Sequence, residues 1–276
     1  MKVAFSKMEG LGNDFMVIEA MQQPLPLDTS TVQKLADRRT GIGFDQLLVI
    51  GRPKNPAHAA SFRIYNADGG EVEQCGNGAR CVSRFLVEAG WVTKNSFTLE
   101  TLGGNLQADV HDITRVRVNM GVPTFEPERI PFDARERALT YALDVDGVAY
   151  EIGAVSVGNP HAILDMPDVD IAPVAEIGPK IENHPSFPKR TNVNFAQWLD
   201  RTHVKLRVFE RGTGETLACG TGACATMVWG RLAGWLDADV EVALRGGRLM
   251  ISWQGEGESM WMSGPANRVY DGTINL

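Results

Sequence analysis

Short runs of alternating apolar and polar residues fill most of the first 120 positions, and this period predicts strands. The predicted strands are 2–8, 15–20, 46–50, 61–65, 96–101, 106–111 and 115–120. Two segments, 31–37 and 79–89, have helical spacing instead, and Gly90 ends the second of them. The first part of the chain is therefore predicted to be strand-rich, with few helices.

A third helical segment, 223–232, carries apolar residues around most of its circumference. Such a helix has to be surrounded by protein. Strands are predicted after it at 240–244 and 249–253, as they are after 79–89. We expect an α+β fold in which each domain is a curved, mostly antiparallel sheet wrapped around one central helix.

The chain contains one short motif twice. Gln-Cys-Gly-Asn-Gly-Ala at 74–79 recurs as Ala-Cys-Gly-Thr-Gly-Ala at 218–223, a separation of 144 positions. Four further pairs follow in the same order: 12–14 with 158–160, 39–46 with 190–197, 63–66 with 207–210, and 103–106 with 246–249. The sequence thus indicates two pseudo-symmetric copies of one domain, with an active site in the cleft between them.

The boundary between the copies is predicted where prolines crowd a short stretch, at Pro123, Pro127 and Pro131. We assign 1–121 to the first domain, which carries Cys75, and 122–263 to the second, which carries Cys219. The tail 264–276 extends past the repeat and can return to the first domain.

The net charge of the chain bears on which macromolecules it can bind. There are 27 basic and 34 acidic residues, for a net charge of −7, so binding to nucleic acid has little electrostatic support. No window has the roughly 18 uninterrupted apolar residues of a membrane span, and the first 15 residues do not resemble a secretory signal. We expect a cytoplasmic protein.

Four cysteines are spaced as C-x5-C and C-x4-C, at Cys75, Cys81, Cys219 and Cys224. In a reducing compartment such thiols are more often free, metal-bound or catalytic than paired in disulfides. Cys81 and Cys224 do not match one another in the repeat, so we expect them to be packing residues. A zinc or redox protein is an alternative, although structural zinc pairs usually have C-x2 to C-x4 spacing within knuckles, and glycine-rich helix starts take the place of the knuckles here.

The repeated turns can support proton transfer. Asn77 and Thr221 are good N-cap residues, so we expect each helix to begin just after them and the preceding cysteine to lie beside unpaired backbone N–H groups. The helix dipole there favours a thiolate and a bound carboxylate. Two such turns facing one carbon would let one sulfur remove a proton while the other adds one to the opposite face, which inverts a stereocentre.

The chain resembles the diaminopimelate epimerase family, and the motifs that carry the resemblance are spread along essentially its whole length. The motifs are 10–15 (Gly-Leu-Gly-Asn-Asp-Phe), 41–46, 66–69, both cysteine turns, 158–161, 192–195 and 210–212. The resemblance implies an isomerase that interconverts L,L- and meso-diaminopimelate without pyridoxal phosphate, another cofactor or a metal. It also implies a homodimer, to which Tyr270 contributes.

Carried over residue by residue, the resemblance implies Cys75 and Cys219 as the acid–base pair, tuned by His161 and Glu210. The implied substrate-binding residues are Asn13, Gln46, Asn66, Gly76, Asn77, Asn159, Asn192, Glu210, Arg211, Gly220 and Thr221. Thr221 is a position where the family also has serine, and threonine keeps the same capping chemistry.

Other interpretations remain open on the residues alone. His161 can be a hydrogen-bonded core histidine, the asparagines can be turn formers, and Glu210 with Arg211 can be a surface pair. The cysteine chemistry also fits a racemase of proline or hydroxyproline. The polar groups of Asn66, Asn192, Glu210 and Arg211 argue against a proline-like ring, which would leave them unpaired.

Overall fold

The computed structural model describes residues 1–73 and 75–276, so Gln74 of the first repeated motif lies outside the described residues. The chain divides into two compact units. The first unit contains Met1–Asn119 and Ser263–Leu276, and the second contains Met120–Met262.

The first unit is built mainly from strands, with one short and one long helix. In chain order its elements are β1 (Lys2–Gly10), β2 (Asn13–Glu19), α1 (Thr29–Ala36), β3 (Gln46–Gly51), β4 (Ala60–Asn66), β5 (Glu71–Val72), α2 (Gly76–Glu88), β6 (Ser96–Thr101), β7 (Gly104–Asp112) and β8 (Arg115–Gly121). The strand that closes the chain, β18 (Asn267–Asn275), pairs antiparallel with β1.

The second unit follows with a similar succession. Its elements are a 3-10 turn (Pro127–Arg129), β9 (Tyr141–Val145), β10 (Val148–Ser156), β11 (Pro160–Asp165), α3 (Val174–Glu182), β12 (Asn192–Trp198), β13 (His203–Glu210), β14 (Gly214–Thr216), α4 (Gly220–Leu232), β15 (Asp239–Leu244) and β16 (Gly247–Ser252). Strand β17 (Met260–Gly264) ends where the chain passes back to the first unit.

Strand pairing repeats between the units. In the first, β2 pairs parallel with β3, β3 antiparallel with β4, β4 parallel with β6, and β6 antiparallel with β7. In the second, β11, β12, β13, β15 and β16 pair in the same succession and with the same senses. The prediction of an α+β fold with two duplicated domains is confirmed.

Each long helix lies at the centre of its unit. Helix α4 is buried without interruption from Gly222 to Gly230 and contacts six strands, β10, β11, β12, β13, β15 and β16. Helix α2 is buried from Asn77 to Ser83 and contacts β1, β2, β3 and β7. The apolar circumference of residues 223–232 is explained by this enclosure.

Predicted strands lie within two residues of the observed bounds, but the long helices begin earlier than predicted. Helix α2 starts at Gly76 and α4 at Gly220, three residues before 79 and 223. Glycine has a low helix propensity, so a pattern-based prediction starts the helix at the following alanine. Among the described residues, no helix combines the length and apolar character needed to cross a bilayer.

We predict that Gly153→Ala destabilises the second unit. Gly153 in β10 faces the indole of Trp229 in α4, and an added Cβ would lie 2.4 Å from an atom of that ring. Inserting a methyl group into a packed core costs about 1–3 kcal/mol, which urea unfolding would measure as a lower midpoint. Gly51→Ala is the control, since the new Cβ there meets only the Ser61 hydroxyl at 3.1 Å. Equal midpoints for the two variants would contradict this packing argument.

Candidate active site

The two repeated cysteines are themselves the N-caps of the central helices. Cys75 and Cys219 have extended backbones, and their sulfurs accept hydrogen bonds from the N–H groups of Gly78 at 3.3 Å and Gly222 at 3.4 Å. The prediction that Asn77 and Thr221 are the N-caps is therefore wrong.

The cause is local. The sulfur occupies the place that a hydroxyl or carboxylate oxygen usually takes at this position, so Asn77 and Thr221 fall inside the first helical turn. The backbone N–H groups of Gly76 and Gly220 belong to that turn. They have no acceptor within the helix, because the first N–H groups of any helix lack one. Each sulfur thus lies at the positive end of a helix dipole, beside donors suited to an anion.

The third helical position of both turns, Gly78 and Gly222, is closely packed. A Cβ on Gly78 would lie 3.0 Å from the side chain of Leu48, and one on Gly222 would lie 3.0 Å from that of Val208. These contacts press the start of each helix against a strand of its own unit, which fixes the position of the sulfur.

In the first unit, Asn13 and Asn77 lie beside Cys75. The Oδ1 atom of Asn13 is 3.9 Å from the Cys75 sulfur and accepts a hydrogen bond from Nδ2 of Asn77 at 3.4 Å. The Nδ2 group of Asn13 donates to Asp45 at 2.8 Å. Asp45 thereby orients the Asn13 amide with its oxygen toward the thiol.

A charged network holds Asp45 and its neighbour Asp14. Arg38 bridges the two carboxylates at 2.7 and 2.8 Å, and Lys7 also pairs with Asp14. Burial alone would raise the pKa of Asp14, but the hydrogen bonds from Arg38 and Lys7 outweigh it and lower that pKa. The network fixes the end of β2 that carries Asn13.

Gln46 and Asn66 form a second predicted pair in the first unit. Nε2 of Gln46 donates to Oδ1 of Asn66 at 2.9 Å, across the β3–β4 pairing. Within the described residues, Oε1 of Gln46 is buried and makes no hydrogen bond. Leaving a buried oxygen without a hydrogen bond costs free energy. This oxygen is therefore suited to accept a hydrogen bond from an N–H group of a ligand.

In the second unit, Glu210 lies against Cys219. Burial raises the pKa of the Glu210 carboxyl, against the opposing effect of hydrogen bonds from Thr216 and Cys219. The pKa of the Cys219 thiol is raised as well, first by burial and then by the neighbouring Glu210 carboxylate. Without substrate, Cys219 is therefore held as a thiol with a proton acceptor beside it.

Asn159, Thr221 and His161 extend this group. The Thr221 hydroxyl is 3.4 Å from the Cys219 sulfur, and Nδ2 of Asn159 is 3.4 Å from the same hydroxyl. His161 is fully buried and has its Nε2 atom 3.1 Å from Oδ1 of Asn159. Burial lowers the pKa of His161 to about 4, an effect to which Arg211 adds.

Asn192 and Arg211 lie together beyond Glu210. Oδ1 of Asn192 accepts from the backbone N–H of Arg211 at 3.0 Å, and its Nδ2 donates to the carbonyl of Pro160. The buried carboxylate of Glu182 accepts from Gly212 N–H at 2.7 Å. These two contacts hold the loop that carries the Arg211 guanidinium.

Tyr270 lies on the surface of the first unit. It is on β18, 46% exposed, with its ring edge-on to Phe5 at 6.0 Å between centroids. Cys81 is fully buried in α2, and burial raises the pKa of its thiol far above the ordinary value, as expected of a packing residue.

Four residues that support the site are absent from the predicted site residues. They are Asp45, which contacts Asn13, Asn194, which contacts His161, Thr216, which contacts Glu210, and Thr226, which contacts Asn194. Asn194 is fully buried and lies two positions from Asn192 on β12, so the period of a strand places both on one face. That spacing is the signal that could have identified it. Thr216 and Thr226 have no such signal, because their roles depend on contacts between distant segments.

Comparison with known proteins identifies the family. The family model described as diaminopimelate epimerase matches residues 5–126 and 153–269. A diaminopimelate epimerase of Nitrosomonas europaea is 55% identical over 276 residues and one of Stutzerimonas stutzeri 50%, each alignment covering 100% of both chains. The chain belongs to the diaminopimelate epimerase family. It is an isomerase.

Solved structures share the fold of this family member at low sequence identity. A probable proline racemase from Agrobacterium radiobacter has a TM-score of 0.72 at 16% identity, covering 99% of this chain and 93% of its own. A phenazine biosynthesis protein of the PhzF family from Bacillus anthracis has a TM-score of 0.70 at 18% identity, covering 100% of both chains.

We predict that Glu210→Gln lowers the pKa of the Cys219 thiol in this diaminopimelate epimerase family member. A carboxylate beside a thiol disfavours the thiolate, so removing the negative charge makes ionisation easier. Mass spectrometry of Cys219 after alkylation across a pH series would show labelling beginning at lower pH. Glu215→Gln is the control, since Glu215 pairs with Arg207 and Arg245 instead. An unchanged or higher labelling pH for Glu210→Gln would contradict the contact between Glu210 and Cys219.

Proposed function

We propose that this protein converts L,L-diaminopimelate to meso-diaminopimelate by a two-base mechanism that uses Cys75 and Cys219. The reaction would supply lysine and peptidoglycan precursors in the cytoplasm. The observation that carries the proposal is the matched pair of sulfur caps, one on each central helix. The full-length similarity to diaminopimelate epimerases supports the choice of substrate.

The mechanism divides two proton transfers between two sulfurs. One cysteine, as thiolate, removes the α-proton, and the other, as thiol, donates its own proton to the opposite face of the same carbon. Turnover leaves the two protonation states exchanged, so the reverse reaction uses the same residues in opposite roles. Because a thiol and a thiolate supply both transfers, the proposal requires no pyridoxal phosphate and no metal.

Glu210 and His161 would adjust these protonation states. The raised pKa of Glu210 makes its carboxylate a better proton acceptor for the Cys219 thiol that contacts it. His161 connects to the same thiol through Asn159 and Thr221. A general base works best when its pKa approaches the working pH, which burial of Glu210 favours.

The backbone N–H groups of the two helix starts, at Gly76, Asn77, Gly220 and Thr221, would hold the carboxylate at the reacting carbon. A carboxylate there is stabilised by direct hydrogen bonds and by the helix dipole. As negative charge develops beside it during proton abstraction, the same donors stabilise the transition state.

The remaining predicted residues would bind the substrate's other polar groups. The Arg211 guanidinium suits a carboxylate, and the unpaired Oε1 of Gln46 can accept from an ammonium group. Asn13, Asn66, Asn159 and Asn192 add amide donors and acceptors. A second amino acid head would bring a carboxylate to Arg211 and an ammonium group to the Gln46 oxygen, whereas a proline ring has no second head to pair with them.

Cys75→Ala and Cys219→Ala should each abolish inversion. Proton NMR of L,L-diaminopimelate in D2O with reductant should show, for the wild type, loss of the α-proton and appearance of the meso isomer carrying deuterium at the inverted carbon. Removing either acid–base group should lower the rate by at least about 100-fold. Cys81→Ala, which removes a buried packing thiol, is the matched control and should retain activity.

The proposal fails if the wild type under reducing conditions neither exchanges the α-proton nor forms the meso isomer. It also fails in part if proline or hydroxyproline is inverted in the same assay and diaminopimelate is not. In that case the thiol pair stands and the substrate assignment does not.

We further propose a homodimer in which the exposed strand β18 takes part through the residues around Tyr270. Val269 and Tyr270 are 57% and 46% exposed, which is high for neighbouring apolar residues on a strand. Tyr270→Glu should raise the dimer dissociation constant about 30-fold or more, as expected for an aromatic hot spot. Sedimentation velocity would measure this, with Ile171→Glu as the exposed apolar control. A monomeric wild type would rule the dimer out.

A further inference from the structure

Both ring nitrogens of His161 face side-chain amides in a fully buried site. Nδ1 is 3.1 Å from Oδ1 of Asn194, and Nε2 is 3.1 Å from Oδ1 of Asn159. A neutral imidazole carries one N–H donor and one acceptor. The two amides therefore cannot both present oxygen to a neutral ring, and one of them has to present its NH2 group.

The orientation of Asn194 is fixed by its other contacts. Its Nδ2 donates to the backbone carbonyl of Gly222 at 2.9 Å and to the Thr226 hydroxyl at 2.9 Å. A carbonyl can only accept, so turning the Asn194 amide over would bring two oxygens together in a buried site. Oδ1 of Asn194 therefore faces Nδ1 of His161 and requires a proton on that nitrogen.

Asn159 is free of such a constraint. Its second contact is the Thr221 hydroxyl, which can donate or accept. Burial opposes the charged form of the ring, and this places its pKa at about 4. In the neutral ring Nε2 carries the lone pair, and Asn159 turns its NH2 group toward it. Amide orientation is assigned from such networks.

We propose that Asn194 is a positioning residue that holds His161 with its proton on Nδ1 and the lone pair of Nε2 directed to Asn159. The significance of this tautomer rests on the proposed function, in which His161 acts on the protonation of the thiols. Only the nitrogen with a lone pair can take up a proton.

This tautomer determines which group donates and which accepts in each hydrogen bond between His161 and Cys219. Asn159 donates to Nε2 and accepts from the Thr221 hydroxyl, whose oxygen is then free to accept from the Cys219 thiol 3.4 Å away. A proton placed on Nε2 would reverse the Asn159 amide and turn the Thr221 hydroxyl into a donor to the sulfur. The protonation of His161 and that of Cys219 are thereby connected through two side chains.

NMR of protein labelled with ¹⁵N in its histidines tests the tautomer directly. Long-range ¹H–¹⁵N correlation spectra at neutral pH distinguish a protonated ring nitrogen from one with a lone pair. The signals of His161 are identified among those of the five histidines by their loss in His161→Gln. We expect a protonated Nδ1 and an unprotonated Nε2. The reverse pattern, or two protonated nitrogens, would overturn the proposal.

Asn194→Ala is expected to move the His161 signals toward an average of the two tautomers and to lower kcat about 100-fold with KM little changed. Thr226→Val is the matched variant, because it removes the second partner of Asn194 but leaves the Gly222 carbonyl, so the wild-type tautomer should persist. An unchanged tautomer in Asn194→Ala would overturn the proposal.

The spectra require no turnover. If diaminopimelate were not epimerised, the proposed function would fail while the expected spectra would still support the assigned tautomer.

Discussion

In each unit a cysteine sulfur accepts a hydrogen bond from the third backbone N–H of a central helix, and the surrounding site depends on that contact. Sulfur is a weak acceptor and a poor replacement for an oxygen cap, so the local stability of these turns is lower than that of an aspartate-capped helix. The sulfur cap instead fixes where the thiol lies. It lies at the helix terminus where backbone donors can bind an anion, and the dipole there opposes the effect of burial on the thiol.

The two units support their cysteines differently although the caps match. Cys75 faces the Asn13 amide, which a network of Asp45, Arg38 and Asp14 orients from the surface. Cys219 lies among buried groups and contacts the Glu210 carboxyl. The two units thus share the sulfur cap at the helix start and differ in the side chains around it.

Much of the fold could be predicted because the two copies carry the same signals. Alternation marks β6 and β7, which are exposed on one face, and the glycine-rich turns mark the starts of α2 and α4 to within a turn. Strands β11 and β12 gave no separate prediction. Their buried positions include the polar residues His161, Asn192 and Asn194, where a pattern-based prediction expects apolar residues.

The sequence predicted which residues form the site, but not the hydrogen bonds between them. Cys75 and Cys219 follow from the repeat itself, and His161 and Glu210 from the resemblance to the family. The cap was assigned to Asn77 and Thr221 because capping statistics favour amide and hydroxyl oxygens. Asn194 was missed as a site residue, since its partners Gly222 and Thr226 lie about 30 positions away and only the folded chain brings them to it.

The pairing of β18 with β1 has a consequence for biosynthesis. The second unit is continuous in the chain, whereas the first lacks an edge strand until the last residues, which end beside Met1. During vectorial synthesis the second unit can therefore reach its native packing while the first still exposes the edge of β1. The unit that is translated first is therefore completed last, when β18 pairs with β1.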